Sequence, residues 1–271
     1  SIDAPVTNDN CTVVSVINDY NNSSDASDSY PVGTTTVTWT VTDIAGNNTS
    51  CSFDVIISDD QDPSISCPAN LTQTADNGVC EATVNIAVPS TSDNCDVDTV
   101  VNDYNGTNNA SDTYPIGTTT VNYTVTDIHG NSSNCSFQVT ITDDEAPSIT
   151  CNNNITQTAD AGVCEAIVDI DVPSTNDNCT VASVTNDYNG TDDASDAYPV
   201  GTTTVTYTVT DLAGNTTTCS FNVTVTDDEA PSITCNNNIT QTADAGVCEA
   251  LVNIAVPSTN DNCGILSVTN D

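Results

Sequence analysis

The sequence contains no lysine and no arginine, against 38 aspartate and glutamate residues in 271 positions. Binding to nucleic acid needs cationic side chains to neutralise the phosphates, so this composition excludes it. Anionic membrane surfaces are disfavoured for the same reason, and we expect no direct membrane insertion of this stretch. The negative charge keeps the chain soluble through self-repulsion. A compact fold then needs counter-ions, for which divalent metals are the obvious candidates.

Histidine and aromatic residues are scarce as well, with one His, one Trp, three Phe and eight Tyr. The only histidine, His129, stands where two further copies of its motif have Ala45 and Ala213. This favours a solvated turn residue over a general base. Without Lys, Arg or a second His, no Ser or Cys has an evident activating base. We therefore predict no catalytic residues and no enzymatic activity.

One motif occurs three times at a constant spacing, without insertions, at Tyr30–Phe53, Tyr114–Phe137 and Tyr198–Phe221. In the first copy Val37, Trp39 and Val41 alternate with threonines. Side chains on a strand point to opposite faces in turn, so this pattern predicts a strand with one buried face. Gly and Asn follow in a turn, where they accept positive φ, and a second alternating run comes next. The motif therefore predicts a β-hairpin with one apolar face.

The rest of each period must supply strands that cover this face, since an isolated hairpin is marginal in water. The sequence has turn signals at sandwich spacing and no helical periodicity. We therefore predict an all-β fold of tandem β-sandwich domains, about seven strands each, in a linear, elongated array. Because the chain starts and stops within a repeat, we expect a window cut from a longer array. The predicted domains are 1–62 (partial), 63–146, 147–230 and 231–271 (partial).

The middle period has a clear strand pattern. It predicts a broken first strand at 64–67 and 71–74, and a second strand from Cys80 to Val88. The polar run Pro89–Asn94 is expected to form a loop, and Val97–Val101 a further strand before the hairpin.

Thirteen cysteines, four in each repeat, indicate an oxidising, extracellular compartment. No Cys-x-x-Cys pair or His partner accompanies them, which argues against zinc. In a sandwich whose first and last strands run parallel, the cysteines on those strands fall at the same end. We therefore favour Cys67–Cys135 and Cys151–Cys219. Elimination then suggests a second set within repeats, which the sequence leaves open because four cysteines allow three connectivities: Cys80 with Cys95, Cys164 with Cys179, and Cys248 with Cys263.

Acidic residues crowd the predicted junctions, just before Pro63, Pro147 and Pro231. In a sandwich, the loop after the second strand and the last hairpin turn lie near the preceding linker. Many hard oxygen ligands without a nearby cation suit Ca²⁺, whereas Mg²⁺ demands a tighter octahedral shell. The alternative is a solvated, repulsive joint whose Asp residues only cap turns. The candidate calcium ligands are Asp59, Asp60, Asp62, Asp93, Asn94, Asp127, Asp143, Asp144, Glu145, Asp177, Asn178, Asp211, Asp227, Asp228, Glu229 and Asp261.

The string Gly-Thr-Thr-Thr-Val-x-Tyr/Trp-Thr-Val-Thr-Asp-x-x-Gly-Asn, then Cys-Ser-Phe, with Asp-Asn-Cys upstream, resembles the hyalin repeat (HYR) module. The resemblance covers essentially the whole chain. It implies an immunoglobulin-like β-sandwich of extracellular proteins and long bacterial surface adhesins, including the filamentous adhesins of gliding cells. The family is not known for catalysis.

We therefore expect a cell-surface rod or filament shaft that projects an adhesive tip, with calcium stiffening its joints. Its partners would be neighbouring repeats of the same chain and, in a filament, other copies. The alternative is a multivalent array in which each module binds a glycan or protein. Tyr20, Tyr104 and Tyr188 are the only recurrent aromatic candidates for such recognition.

Overall fold

The computed structural model describes residues 1–270. Within them there are 21 strands, and no helix capable of crossing a membrane. The first repeat contains β1 (Val13–Asn18), β2 (Gly33–Asp43) and β3 (Asn48–Ile57). The middle repeat contains β4 (Ser64–Ser66), β5 (Leu71–Thr74), β6 (Glu81–Val84), β7 (Ser90–Ser92), β8 (Val97–Asn102), β9 (Asp112–Pro115), β10 (Gly117–Asp127) and β11 (Ser132–Thr142). The third repeat contains β12 (Ser148–Thr150), β13 (Ile155–Thr158), β14 (Glu165–Val168), β15 (Ser174–Asn176), β16 (Val181–Asn186), β17 (Asp196–Pro199), β18 (Gly201–Asp211) and β19 (Thr216–Thr226). The last segment contains β20 (Ser232–Thr234) and β21 (Ser258–Asn260).

The chain divides into two compact units. Unit 1 comprises residues 1–72, 83–114 and 118–140, and unit 2 comprises residues 73–82, 115–117 and the chain from 141 onward. Residues 73–82 belong to the middle repeat by sequence, yet they lie in the same compact unit as the third repeat.

The third repeat, in unit 2, is a β-sandwich. One sheet has the order β13-β19-β18-β16. The hairpin β18–β19 is antiparallel with Val205 opposite Phe221, whereas β13 runs parallel to β19 with Ile155 opposite Val223. The other face is formed by two short pairs, β12–β15 and β14–β17. The parallel pairing places the turn after β13 at the end where β19 finishes.

The core of this sandwich follows from the alternation of side chains. Val205, Tyr207 and Val209 on β18 are fully buried, and the threonines between them point away. Val205 and Tyr207 pack with residues of the opposite face such as Ala166 and Tyr198. Tandem all-β sandwiches, as the sequence predicted, are confirmed.

Unit 1 contains the first repeat and most of the middle repeat. In the middle repeat β10 pairs antiparallel with β8, with Tyr123 opposite Asn102. In the first repeat the sheet is β1-β2-β3, and Val37 and Trp39 form its small core with Ala26.

The predicted loop Pro89–Asn94 is wrong in part, because it contains β7. Ser90–Ser92 pairs with β4, with Thr91 opposite Ile65. Strand pairing uses backbone groups and does not require the apolar side chains whose absence suggested a loop. The predicted second strand is also shorter than expected and spans only Glu81–Val84.

Candidate cation sites and inter-repeat disulfides

Three aspartates from distant parts of the sequence meet in unit 2. Asp143 follows β11, Asp177 follows β15 and Asp211 ends β18, and one carboxylate oxygen of each lies within 4.8 Å of the others. Because β12 pairs antiparallel with β15, and β16 with β18, the start of the third repeat lies beside the ends of β15 and β18. The strand order therefore builds the cluster.

Hydrogen bonds from the loops hold these carboxylates. Oδ1 of Asp211 accepts from the backbone N–H groups of Gly214 and Asn215, at 2.7 and 2.8 Å. Oδ2 of Asp177 accepts from the N–H of Cys179 at 3.0 Å. Oδ1 of Asp177 is buried and has no hydrogen-bond partner. One oxygen of the cluster is therefore oriented but unsatisfied.

Asn215 is a site residue that the sequence reasoning missed. Its Nδ2 donates to Oδ2 of Asp211 at 2.9 Å, and to the carbonyl oxygens of Asp143 and Glu145, both at 3.3 Å. It thus joins the last hairpin turn to the linker. The available signal was the Gly-Asn pair that recurs at the end of each hairpin turn.

Hydrogen bonds favour the ionised form of one carboxylate in each cluster, Asp211 in unit 2 and Asp127 in unit 1. Burial acts to raise the pKa of Asp211, but the hydrogen bonds from Asn215 and from backbone amides outweigh it and hold the pKa below the ordinary value of 3.8. In unit 1, burial acts to raise the pKa of Asp127, but hydrogen bonds from Asn131 and from backbone amides lower it overall. These negative charges have no Lys or Arg to offset them anywhere in the sequence.

Unit 1 contains an equivalent cluster of Asp59, Asp93 and Asp127, again with one oxygen of each within 4.8 Å. The side chain of Asp59 is only 2% exposed, and its Oδ2 has no hydrogen-bond partner. Its Oδ1 accepts from Nδ2 of Asn94 at 3.2 Å. Burial acts to raise the pKa of Asp59, but the hydrogen bonds from Asn94 and from the backbone of Gln61 lower it overall.

The unit 1 cluster has two additional neighbours. Nδ1 of His129 lies 3.3 Å from Oδ2 of Asp59, and Sγ of Cys95 lies within 4.8 Å of both. Burial and the nearby Asp59 raise the pKa of the Cys95 thiol. His129 is in a turn as expected, yet it contacts a buried carboxylate. The absence of Cys-x-x-Cys pairs in the sequence argued against zinc, but it could not reveal that one His, one Cys and one Asp meet in the fold.

The other acidic candidates near these two clusters have different positions. Asp60, Asp62 and Asp144 are exposed and belong to neither group of three. Glu145 instead accepts a hydrogen bond at Oε2 from the backbone N–H of Gly78, at 2.8 Å. It therefore fixes the turn that precedes Cys80.

The last group of candidates is only partly assembled. Asp227, Asp228 and Glu229 are exposed, and Oε2 of Glu229 accepts from the N–H of Gly162 at 3.0 Å. Oδ1 of Asp261 accepts from the N–H of Cys263 at 2.9 Å. Among residues 1–270 these four form no group of three clustered carboxylates.

Two disulfides lie within repeats. Cys67 is bonded to Cys135, and Cys151 to Cys219, each pair separated by 68 residues. These are the pairs that the parallel first and last strands predicted.

The other two disulfides correct the prediction, because they join successive repeats. Cys80 is bonded to Cys179, and Cys164 to Cys263, each pair separated by 99 residues. The expected pairs Cys80–Cys95, Cys164–Cys179 and Cys248–Cys263 are therefore wrong. Free thiols remain at Cys11, Cys51, Cys95, Cys235 and Cys248.

The parallel strand explains this connectivity. In the third repeat Ala159, just after β13, donates its N–H to the carbonyl oxygen of Thr226 at 2.9 Å, so the turn leading to Cys164 lies where the repeat ends. Asn262, beside Cys263, donates from Nδ2 to the carbonyl oxygen of Val163 at 3.0 Å. The matching bond at the preceding joint runs from Asn178 to Val79, at 3.2 Å. Each turn therefore faces the loop of the following repeat.

The recurrent tyrosines have structural contacts. Tyr188 stacks on Tyr198 with ring centroids 4.2 Å apart, and its hydroxyl donates to the carbonyl oxygen of Ala197 at 2.5 Å. Tyr20 and Tyr104 make the corresponding stacks and are half-buried as well. Their position favours a role in packing over ligand recognition.

Comparison with known proteins identifies the repeat. The chain is 38% identical over 205 residues to Hyalin of Strongylocentrotus purpuratus, covering 72% of the chain and 16% of that protein. It is 32% identical over 193 residues to Hyalin of Lytechinus variegatus, covering 69% and 35% respectively. The chain thus spans a minor part of the length of these relatives. They are animal proteins and give no support to the bacterial setting that the resemblance implied.

Among solved structures, a protocadherin gammaB7 EC3-6 cis-dimer is 16% identical, covering 79% of this chain and 63% of that chain, with a TM-score of 0.33. The human desmocollin-1 ectodomain is 14% identical, covering 76% and 51%, with a TM-score of 0.31. At these TM-scores the similarity provides no further evidence about the fold of this chain. The extracellular location predicted from the cysteines agrees with the four disulfides. Family matches cover residues 1–57, 58–141 and 142–225, so the chain belongs to the HYR domain family.

Proposed function

We propose that this chain is part of an extracellular, non-catalytic adhesive rod or filament shaft, which projects an adhesive tip and whose joints are stiffened by Ca²⁺. The observation that carries the proposal is that each of the first two joints combines a cluster of three aspartates with contacts to the preceding repeat. At the second joint these contacts include the disulfide Cys80–Cys179. Covalent and ionic links at the joints suit a shaft that keeps its length and transmits force.

The residues of the clusters suit calcium. Three carboxylates within 4.8 Å repel one another unless a cation lies between them. The side chain of Asp59 is almost completely buried. Its Oδ2 lies 3.3 Å from Nδ1 of His129 but accepts no hydrogen bond, and such burial is costly for a charged group. The aspartates of each cluster offer oxygen ligands, which Ca²⁺ accepts in a flexible shell, whereas Mg²⁺ demands near-ideal octahedral geometry. We propose Asp59, Asp93 and Asp127 as one set of ligands.

The second proposed set is Asp143, Asp177 and Asp211. A bound Ca²⁺ would neutralise the cluster and hold the linker, the loop after β15 and the last hairpin turn together. At about 100 times the dissociation constant, binding to the folded state alone would stabilise it by about 2.7 kcal/mol per site.

A calcium titration of the full chain tests the calcium role. Calorimetry is expected to show saturable binding, and the melting temperature is expected to rise with Ca²⁺ and to fall again on chelation. Mg²⁺ at the same concentration serves as the control and is expected to act more weakly. An unchanged melting temperature at millimolar Ca²⁺ would contradict the stiffening role.

The rod function is tested by shortening the array and measuring both reach and adhesion. For a spacer we expect a shorter reach with unchanged affinity of the adhesive tip. Affinity that scales with the number of repeats would instead support the multivalent array, in which each module binds a glycan or protein.

A further inference from the structure

The four disulfides overlap along the sequence. They join Cys67 to Cys135, Cys80 to Cys179, Cys151 to Cys219, and Cys164 to Cys263, so each loop opens before the preceding one closes. Cross-links confined to single repeats would leave the polypeptide between repeats as the only covalent connection. The inter-repeat pairs create a second one.

This second connection is very short. From Cys80 a covalent path crosses to Cys179, runs back along the chain to Cys164, and crosses to Cys263. Fully extended, the segment of about 15 residues between Cys164 and Cys179 reaches about 50 Å. The direct polypeptide path from Cys80 to Cys263, of about 180 residues, reaches about 600 Å. The length of this short covalent path has the same upper limit whether or not the third repeat is folded.

We propose that the inter-repeat disulfides act as mechanical stops, which give the array a further function as a nearly inextensible tether. When tension unfolds a β-sandwich, the polypeptide that was folded in it normally extends and lengthens the molecule. Here Cys80–Cys179 and Cys164–Cys263 carry the load past the third repeat, so its unfolding adds almost no length. The array therefore retains its reach after its non-covalent structure has failed.

The intra-repeat disulfides cannot do this. Cys67–Cys135 and Cys151–Cys219 shorten their own repeats but leave the linker and the flanking strands free to extend. The stop is also independent of calcium, because it depends on covalent bonds alone. It therefore remains if the proposed calcium sites fail.

Single-molecule stretching of the full chain, held at Ser1 and Asp271, tests the proposal. Before any substitution, the disulfides of the full chain are mapped by non-reducing digestion. The free cysteines are then replaced by serine in every variant to prevent new pairs. The shortest oxidised path runs from Ser1 to Cys80, from Cys179 back to Cys164, and from Cys263 to Asp271. This path of about 100 residues limits extension to about 350 Å, whereas the fully reduced chain reaches about 920 Å.

Two variants that each lack two disulfides separate the two kinds of bridge. The variant without inter-repeat bridges, with Cys80→Ser, Cys179→Ser, Cys164→Ser and Cys263→Ser, is expected to extend to about 460 Å. The matched control lacks the intra-repeat bridges, with Cys67→Ser, Cys135→Ser, Cys151→Ser and Cys219→Ser, and its limit is expected to stay at about 350 Å. Should the first variant not fold, dithiothreitol is added to the stretched control variant, whose remaining disulfides are the two inter-repeat pairs, and its limit is expected to rise from about 350 Å to about 920 Å. An oxidised chain that extends to the length expected without the inter-repeat bridges, or mapping that finds Cys80 joined to Cys95, overturns the proposal.

Discussion

Asn215 donates a hydrogen bond from Nδ2 to the backbone carbonyl oxygen of Asp143, 72 positions earlier, at 3.3 Å. The same amide also binds Oδ2 of Asp211 at 2.9 Å. One neutral side chain therefore connects the last hairpin turn of the third repeat to the linker that precedes this repeat. It also orients a carboxylate of the candidate calcium site.

Replacing this residue, Asn215→Ala, is expected to destabilise unit 2 by about 1–3 kcal/mol, because three partly buried acceptors lose their donor. Differential scanning calorimetry in the presence of a chelator measures the effect. The matched control is Asn47→Ala, since Nδ2 of Asn47 binds its own Asp43 at 2.8 Å and no linker carbonyl. Equal losses for the two variants would mean that the linker bonds contribute nothing.

A charge-removing change in the second cluster, Asp177→Asn, is expected to weaken calcium binding there about tenfold or more, or about 1.4 kcal/mol. The reason is the loss of one of three clustered carboxylates. Asp144→Asn is the control of equal charge change, because Asp144 is exposed and outside the cluster. Isothermal calorimetry distinguishes them, and equal weakening by both would indicate only diffuse attraction by the net charge.

Stability is expected to fall in acid. The pKa values of Asp127 and Asp211 are lower in the folded chain than their ordinary value of 3.8. Their contribution is therefore present above about pH 4 and is lost as the pH falls below 3.8 through the folded-state pKa. Melting temperatures between about pH 5 and pH 2, without calcium, measure this loss. Asp211→Asn is expected to flatten the profile, and an unchanged slope would contradict the assignment.

Stability is also expected to fall in alkali. Burial, with nearby Tyr188 and Tyr207, raises the pKa of Tyr198 to about 12, and its hydroxyl donates to the carbonyl oxygen of Ala194 at 2.7 Å. Because the folded-state pKa is raised above 10, the contribution is complete below pH 10 and is lost as the pH rises towards about 12.

The variant Tyr198→Phe tests this contact. It is expected to cost about 1 kcal/mol at neutral pH, because the buried carbonyl of Ala194 loses its donor. It should also reduce the alkaline loss of stability. Tyrosinate absorbance, measured together with unfolding, checks both. A variant that melts like the parent throughout would show that the hydroxyl has no structural role.

The sequence predicted those features that depend on local periodicity. Alternation in the hairpin placed Val205 and Tyr207 in the core, and the parallel first and last strands indicated Cys151–Cys219. The aspartates Asp143, Asp177 and Asp211 could be grouped because strand order alone places their loops at one end of a sandwich.

The pairing of the remaining cysteines could not be predicted in this way. Elimination treats each repeat as closed, so it paired Cys80 with Cys95. The true partner, Cys179, depends on which surfaces meet at a joint, and the constant period makes Cys95 and Cys179 equivalent by sequence. Asn215 was missed because the recurrent Gly-Asn pair marks a turn but does not show that the amide reaches the linker.

The sequence by itself thus determined the all-β repeat, its period, its negative charge and the cysteines on its first and last strands, because these depend on alternation and spacing along one chain. Only the tertiary structure decided that Cys80 meets Cys179 and that Asn215 meets Asp143. The physical reason is that both contacts depend on distances across a joint, which are set by packing between successive repeats and not by the order of residues within one.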